Sequence, residues 1–302
     1  MAELRDFLDP REVAQLEKLQ VVAHRIVDGF LRGIHRSSAK GSSLEYAENR
    51  PYVPGDDLRH LDWRSYAKTD RFYLKQFEDE TNLRATIALD ASGSMSFGST
   101  GVTKLRYASC LAAAIGYLLL EQRDAIGLAV FDEDLRDFVP PRATAENLAG
   151  IFDTMETIDP RGETDFGCAL PRLAERITPR SLVVLISDLL ADPLGILTGV
   201  SQLRQRGCVV ITLHVMDPAE LELPFDSWMV FRDLENSSVE MRLDARDMRE
   251  IYLEHLAEHR ETVRSGCSAA GVDYLFLDVR EPFEVALGRF LHLRSRRRSD
   301  RR

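Results

Sequence analysis

The sequence predicts an α/β fold in which helices cover both faces of a mostly parallel sheet. From about residue 83 onward, short apolar segments alternate with longer segments of helical periodicity. The strand segments, among them RATIALD (84–90) and SLVVLISD (181–188), are apolar along most of their length. Strands buried on both faces show this continuous pattern, and strands joined through helices run parallel. Both observations therefore indicate a sheet enclosed between two layers of helices.

The predicted elements follow one another in regular order. Strands are expected at 84–90, 125–131, 181–188, 208–215 and 272–279, with an edge strand at 135–140. Helices are expected at 104–122, 144–158, 166–177, 193–207, 244–271 and 281–293. Pro171 lies in the first half of one helix, where it can cause a kink, and Gly207 ends another. Residues 228–243 are predicted to form an additional hairpin with a polar turn.

Residues 1–82 differ from the rest of the chain because they are polar, aromatic and rich in charge. Apolar spacing predicts a helix around 10–32, and LEYAENRPYV and RFYLKQFE alternate enough to be short strands. We therefore divide the chain into an N-terminal helix and β-containing lead-in segment at 1–82, a main domain at 83–293, and a basic tail at 294–302. The tail is expected to be a frayed, solvated end.

The composition is that of an ordinary globular protein and argues against several functions. Of the 302 residues, 39 are Lys or Arg and 49 are Asp or Glu, and the net charge of −10 argues against a nucleic-acid binder. The four cysteines lie far apart in sequence, which favours reduced thiols in a cytosol. The longest apolar run, at 110–120, is shorter than the roughly 20 residues of a membrane-spanning helix. We therefore predict a cytoplasmic protein without a transmembrane segment or signal peptide.

Two acidic residues end two of the predicted strands, and hydroxyl residues accompany them. Asp90 ends RATIALD and is followed by Ser92 and Ser94, whereas Asp188 ends SLVVLISD and Thr164 lies in a loop between them. In such sheets, ligands bind beyond the carboxyl ends of the strands, where the strand order reverses. If the two strands are neighbours, their carboxylates face one crevice, and a cation is needed to keep both ionised. Oxygen donors without His or Cys favour Mg²⁺ or Mn²⁺.

The same five residues resemble a known binding site. D-x-S-x-S after a strand, a later G-x-T-D loop and a later I-S-D together resemble the metal-ion-dependent adhesion site of von Willebrand factor A domains, which have a Rossmann-like fold. The resemblance covers about 83–293 and implies that Asp90, Ser92, Ser94, Thr164 and Asp188 hold the metal directly or through water. A metal with mostly neutral ligands stays electron-poor, so that an Asp or Glu of a partner can displace a water. We therefore predict metal-dependent protein binding and no enzymatic activity.

A second resemblance lies in the N-terminal segment. The run YVPGDDLRHLDWR, from Tyr52 to Arg64, resembles the lead-in of a bacterial family of unknown function whose members carry such an A domain. They are commonly encoded beside MoxR-type AAA+ ATPases, which implies an adaptor or co-chaperone of such an ATPase in protein maturation. Many relatives carry two transmembrane helices before this segment, and none is expected here. Asp56, Asp57 and Arg59 either form a structural turn or dock the segment onto the A domain through ion pairs.

Other interpretations of these residues stay open. Asp, Ser and Thr also cap helices and form turns, so a purely structural A domain would need no metal. A metal-dependent hydrolase is the other alternative, although an aspartyl phosphatase would need an acid where Ser92 stands. His255, Glu258 and His259 match the H-x-x-E-H pattern of some zinc proteases, but their helix is rich in charge, which favours a solvated surface.

Overall fold

The computed structural model describes residues 9–16, 18–38, 50–51, 73–74, 83–235 and 240–299. By its contacts the chain divides into two compact units, one formed by residues 1–30 and 83–302 and a smaller one formed by residues 31–82. In the smaller unit, Arg50–Pro51 (β1) pairs antiparallel with Tyr73–Leu74 (β2), within the segment predicted to contain β-structure.

The strands of the larger unit follow the predicted order along the chain. They are Arg84–Asp90 (β3), Ala125–Phe131 (β4), Leu135–Arg142 (β5), Leu182–Ser187 (β6), Val209–Met216 (β7), Trp228–Arg232 (β8), Glu240–Asp244 (β9) and Asp273–Asp278 (β10). Strands β8 and β9 pair antiparallel as a separate hairpin, as predicted for 228–243, and the other six strands form one sheet.

Helices connect these strands. They are Pro10–Ala14 (α1), Leu19–Ser38 (α2), Lys104–Glu121 (α3), Ala145–Glu156 (α4), Phe166–Arg176 (α5), Pro193–Gln205 (α6), Pro218–Glu222 (α7), Ala245–Ala269 (α8) and Phe283–Ser299 (α9), with a short 3-10 turn at Gly93–Ser96. Helix α5 continues through Pro171 as a single helix. Within the described parts of the chain, none of these helices combines the length and the apolar character needed to cross a bilayer.

The order of strands in the main sheet is β10-β7-β6-β3-β4-β5. Neighbouring strands run parallel except for β5, which pairs antiparallel with β4 at one edge. The chain builds the sheet from β3 toward β5 and then resumes on the other side of β3 with β6. The order thus reverses between β3 and β6, which is where ligands bind in sheets of this kind. The predicted α/β architecture with a mostly parallel sheet is confirmed.

Both faces of this sheet are covered by helices. On one face, Ile87 and Leu89 pack with apolar side chains of α2, α3, α4 and α9. On the other face, Ala88 and Leu185 pack with side chains of α5, α6 and α8. Successive strand residues point to opposite faces, so a strand covered on both sides is apolar throughout. Each fully buried Leu or Ile side chain contributes about 1.5–3 kcal/mol to this core.

The single N-terminal helix predicted around 10–32 is wrong, because the structure has two helices there. Arg106 donates hydrogen bonds to the carbonyl oxygens of Ala14 and Leu16, near the end of α1. The Glu156 carboxylate accepts a hydrogen bond of 2.7 Å from the Leu19 N–H, at the start of α2. These side chains satisfy backbone groups that a continuous helix would pair internally, so the chain can break between the two helices.

The basic tail predicted from residue 294 begins inside a helix. Helix α9 continues to Ser299, and Arg294 is buried instead of solvated. Its guanidinium pairs with Asp124 and donates a hydrogen bond of 2.6 Å to Gln122. A buried arginine is stable only when a carboxylate compensates its charge, and the sequence pattern did not show that Asp124 does so. The main domain therefore extends beyond residue 293.

Candidate functional site

Asp90 ends β3, Asp188 follows the neighbouring strand β6, and both lie in the same crevice. Leu89 of β3 is paired with Ile186 of β6, so the next residues, Asp90 and Ser187, are side by side. The Ser187 hydroxyl donates a hydrogen bond of 2.6 Å to the Asp90 carboxylate. Both acids are almost fully buried, and their charges interact. The structure thus brings the two acids together at the point where the strand order reverses.

The loop after β3 turns its hydroxyl groups toward both acids. The Ser92 N–H donates a hydrogen bond of 2.9 Å to the Asp90 carboxylate, and the 3-10 turn Gly93–Ser96 follows. The hydroxyl oxygens of Ser92 and Ser94 lie 3.1 Å apart. The Ser94 hydroxyl also interacts with the Asp188 carboxylate and helps to lower the pKa of Asp188. The D-x-S-x-S pattern therefore places two hydroxyl groups within hydrogen-bonding range of the crevice.

A second loop brings Thr164 to the same place. The Gly93 N–H donates a hydrogen bond of 2.9 Å to the Gly162 carbonyl, which ties the two loops together. Thr164 Oγ1 then lies 3.4 Å from each carboxylate oxygen of Asp90. All five residues singled out from the sequence are thus brought together beyond the carboxyl ends of β3 and β6.

Lys104 belongs to this site as well, although the sequence analysis did not single it out. It is the first residue of α3 and is completely buried, and its Nζ lies 2.7 Å from the Asp188 carboxylate. The same ammonium contacts the carboxylate of Glu220, on α7. A lysine at a helix N-terminus opposes the helix dipole. Its position at the start of an otherwise apolar helix was the available signal, since such a cation needs a nearby acid.

The backbone after Asp188 is held in an uncommon conformation. Leu189 has a φ of 52°, in the left-handed region that costs a non-glycine residue on the order of 1–2 kcal/mol. Its N–H donates a hydrogen bond of 2.8 Å to Ser187 Oγ, and its carbonyl oxygen lies 2.8 Å from His259 Nε2. The Leu190 N–H donates to the Asp188 carboxylate at 3.2 Å. These bonds fix the direction of that carboxylate.

A further acid reaches the site from the β8–β9 hairpin. The carboxyl group of this acid, Glu235, lies close enough to Ser94 for the hydroxyl to lower its pKa, and its charge interacts with those of Asp90 and Asp188. The sequence analysis predicted the hairpin but missed this residue. No local pattern records which loop a hairpin covers, so the sequence carried no signal for the contact.

Burial and neighbouring charges shift the pKa values of the acids in this site. Burial, reinforced by the charge of Asp188, raises the pKa of Asp90. Burial also raises the pKa of Glu220 and raises the pKa of Glu235 to about 7. Burial acts on Asp188 in the same direction, but the Lys104 ammonium lowers the pKa of Asp188 overall. Lys104 contacts two of these four carboxyl groups, those of Asp188 and Glu220, so a divalent cation would relieve the remaining repulsion among the acids.

The donor set fits a hard divalent cation. Two carboxylates and three hydroxyl groups are oxygen ligands of the kind that Mg²⁺ and Mn²⁺ accept. In the described part of the chain, no group of three or more His, Cys, Asp or Glu side chains is arranged to hold a metal ion. A metal at this place would therefore depend on the serine and threonine hydroxyls and on water for most of its ligands.

The remaining predicted residues lie elsewhere. His255 and Glu258 are exposed on α8, and the Nε2 of His259 is engaged by the carbonyl of Leu189. The H-x-x-E-H residues are thus a surface pair and a structural histidine rather than a built zinc site. The three residues considered for docking of the lead-in segment lie outside the described residues: Asp56, Asp57 and Arg59.

The fold and the site define a mostly parallel α/β protein with an acid and hydroxyl cluster where its strand order reverses. The chain belongs to the family described as protein of unknown function DUF58, whose model matches residues 48–262. Uncharacterized proteins of Mycobacterium tuberculosis and Mycobacterium bovis are each 29% identical to it over 295 residues. These matches cover 96% of this chain and 92% of each relative.

Two solved structures are similar to parts of this chain. The conserved hypothetical protein BatB from Bacteroides thetaiotaomicron is 18% identical with a TM-score of 0.49, over 71% of this chain and 99% of that one. An aerotolerance-related membrane protein from Bacteroides fragilis is 20% identical with a TM-score of 0.46, over 68% of this chain and 97% of that one. Likenesses of this size carry no argument about function.

Proposed function

We propose that this chain carries a von Willebrand factor A-type domain that binds a partner protein through a metal ion. The observation that carries the proposal is the convergence of the five predicted residues on one crevice: Asp90, Ser92, Ser94, Thr164 and Asp188. They come from three separate stretches of the sequence. Their order along the chain is that of a metal-ion-dependent adhesion site.

Helix capping accounts for little of this convergence. The side chain that caps α5 is that of Asp165, not that of its neighbour Thr164. Thr103, not Ser94, caps α3, and Ser92 makes no capping hydrogen bond with the 3-10 turn that follows it. Residues kept only as caps would bond to helix N–H groups. The hydroxyl groups of these residues instead face the two acids, as donors for a cation would.

In this proposal the five residues have two roles: four hold the metal, and Asp188 contributes through a water. Asp90 and the hydroxyls of Ser92, Ser94 and Thr164 hold Mg²⁺ or Mn²⁺, directly or through water. Asp188 acts through water, because Lys104 already occupies one of its carboxylate oxygens. A metal held mainly by neutral oxygens supplies a Lewis-acidic centre to which an Asp or Glu of a partner binds.

The partner we propose is a MoxR-type AAA+ ATPase or its client, with this chain as a cytoplasmic adaptor or co-chaperone in protein maturation. Support comes from the resemblance of Tyr52–Arg64 to the lead-in of a family encoded beside such ATPases. The family match to this chain begins at residue 48 and therefore includes this segment.

A pull-down of a MoxR-type ATPase by the full chain tests the proposal. Binding should be retained with Mg²⁺ and lost with EDTA or with Asp90→Ala. Asp153→Ala is the matched control, because Asp153 is exposed on α4 and should leave binding unchanged. Equal binding under all these conditions would remove the metal from the mechanism.

A structural A domain without metal is a second candidate, and one observation favours it. The buried Lys104 ammonium already compensates the charge of Asp188. If that pair suffices, Mg²⁺ would leave the melting temperature unchanged, because only a ligand that binds the folded state raises stability.

A metal-dependent hydrolase is a third candidate, favoured by Glu235. Its carboxyl group lies beside Ser94, where it could act as a general acid. Turnover of a phosphoester panel by the natural chain and not by Asp90→Ala would support hydrolysis over binding.

A further inference from the structure

Leu234 and Glu235, which follow β8, lie directly on the 3-10 turn of the site. A Cβ added to Gly93 would lie 2.2 Å from the carbonyl oxygen of Leu234 and 3.2 Å from Cα of Glu235. Real Cβ atoms do not approach other atoms so closely, so only glycine permits this contact. The hairpin backbone is therefore packed against the loop that carries Ser92 and Ser94.

This contact places the Glu235 side chain in the crevice. The Ser94 hydroxyl lies near the carboxyl groups of both Glu235 and Asp188 and acts to lower their pKa values. The Asp233 carboxylate accepts a hydrogen bond of 2.9 Å from the Glu235 N–H and so fixes the turn that carries the side chain. Glu235 thus stands where a carboxylate of a partner would have to approach the hydroxyl groups.

The charges around Glu235 determine what its carboxylate needs in order to stay ionised in the crevice. Glu235 interacts unfavourably with the negative charges of Asp90 and Asp188. Lys104 contacts Asp188 and Glu220. Among the contacts described for this site, none joins Lys104 to Glu235. A third carboxyl group beside two others becomes protonated more easily, and it stays ionised there when a cation lies among them.

The hairpin is also built as a separate element. Its two strands pair with each other and not with the main sheet. Trp228, Val230 and Met241 expose 67%, 49% and 52% of their surface, so this sheet buries little apolar area. A two-stranded hairpin is marginally stable by itself. The hairpin therefore contributes little to the core of the larger unit.

We propose that Glu235 is a further ligand of the metal site, supplied by the chain itself, which a partner's carboxylate must displace. The inference rests on the proposed metal-dependent function. The hairpin thereby sets the affinity of the site for partners, because a partner carboxylate competes with an internal one already tethered beside the hydroxyl groups.

Titration of the full chain with Mn²⁺ alone, followed by water-proton relaxation, tests this inference. Glu235→Gln should weaken Mn²⁺ binding about tenfold, the lower end of the effects expected at metal sites. It should also raise the relaxation enhancement per bound Mn²⁺, because a water replaces the lost carboxylate. Glu254→Gln, an exposed residue of α8, should match the natural chain in both respects.

Glu220→Gln distinguishes the loss of a metal ligand from the loss of a negative charge. It removes one carboxylate charge from the contact with Lys104 and leaves Glu235 in place. It should weaken Mn²⁺ binding without changing the relaxation enhancement. If Glu235→Gln leaves the enhancement unchanged while Asp90→Ala abolishes Mn²⁺ binding, the role of Glu235 is refuted and the metal site stands. If the natural chain binds no Mn²⁺, both are refuted.

Discussion

The Lys104 ammonium lies 2.7 Å from the Asp188 carboxylate, and both side chains are buried beneath the candidate site. The ammonium compensates the negative charge of Asp188 from within the protein. Asp90 has no such partner among the contacts that define the site, where its hydrogen bonds come from Ser187, Ser92 and Thr164. The two acids therefore differ in role, and a cation is needed most at Asp90.

Replacing Lys104 by methionine should destabilise the protein strongly. The substitution keeps the length of the side chain but leaves Asp188 buried without its cation, which typically costs about 3–5 kcal/mol. Urea denaturation in EDTA measures the loss. Arg25→Met, at an exposed position of α2, should change stability by less than about 0.5 kcal/mol. A Lys104→Met protein as stable as this control would show that the ion pair contributes nothing.

Added Mg²⁺ should raise the melting temperature of Lys104→Met by more than that of the natural chain. A divalent cation would then compensate both acids, whereas in the natural chain it compensates mainly Asp90. Differential scanning calorimetry with Mg²⁺ and with EDTA provides the comparison. Equal shifts in both proteins would mean that Lys104 and the metal act independently.

Gly93→Ala should lift the hairpin from the site. The new methyl group would meet the carbonyl of Leu234 at 2.2 Å, and overpacking of this kind costs about 1–3 kcal/mol. Amide hydrogen exchange in β8 should become faster while exchange in β3 stays slow. Gly150→Ala is the matched control, since a Cβ there meets nothing within 4 Å and alanine favours α4. Unchanged exchange in β8 would contradict the contact.

His214 should make the protein less stable in mild acid. Burial lowers the pKa of His214 from its ordinary 6.5 to about 3, so between these values the unfolded chain binds a proton that the folded chain does not. Its contribution is therefore fully present above pH 6.5 and is lost as the pH falls toward 3, by about 2 kcal/mol at pH 5.

Urea denaturation at pH 7.5 and at pH 5 measures this loss. His214→Phe should lose about 2 kcal/mol less between the two conditions than the natural chain does. His255→Phe, at an exposed position on α8, should keep the full pH dependence. The explanation fails if both variants show the same loss.

Local patterns predicted the sheet and the two acids because both depend on strand ends, whereas the set completed by Ser92, Ser94 and Thr164 came from the resemblance to a metal-ion-dependent adhesion site. A continuous apolar strand shows its own boundaries, and Asp90 and Asp188 meet as soon as β3 and β6 are neighbours. Glu235 could not be found in this way, because its role depends on a contact between segments far apart in the chain. Lys104 gave only the signal of a cation at the start of a helix, and its partners also come from distant segments.

The same limit explains the errors in the helices. The break between α1 and α2 depends on Arg106 and Glu156, and the burial of Arg294 depends on Asp124. In each case a side chain far away in the sequence changes the structure of a segment, and the hydrophobic periodicity of that segment does not show the change. Sequence periodicity measures only the preference of the segment itself.

Isothermal titration of the full chain with Mg²⁺ tests the central claim most directly. The natural chain and Asp153→Asn should bind Mg²⁺ at one site, and Asp90→Asn, which keeps the size of the side chain, should abolish the binding. Heats of binding that are the same for Asp90→Asn and for the natural chain, or are absent from both, would contradict a metal site at the carboxyl ends of β3 and β6.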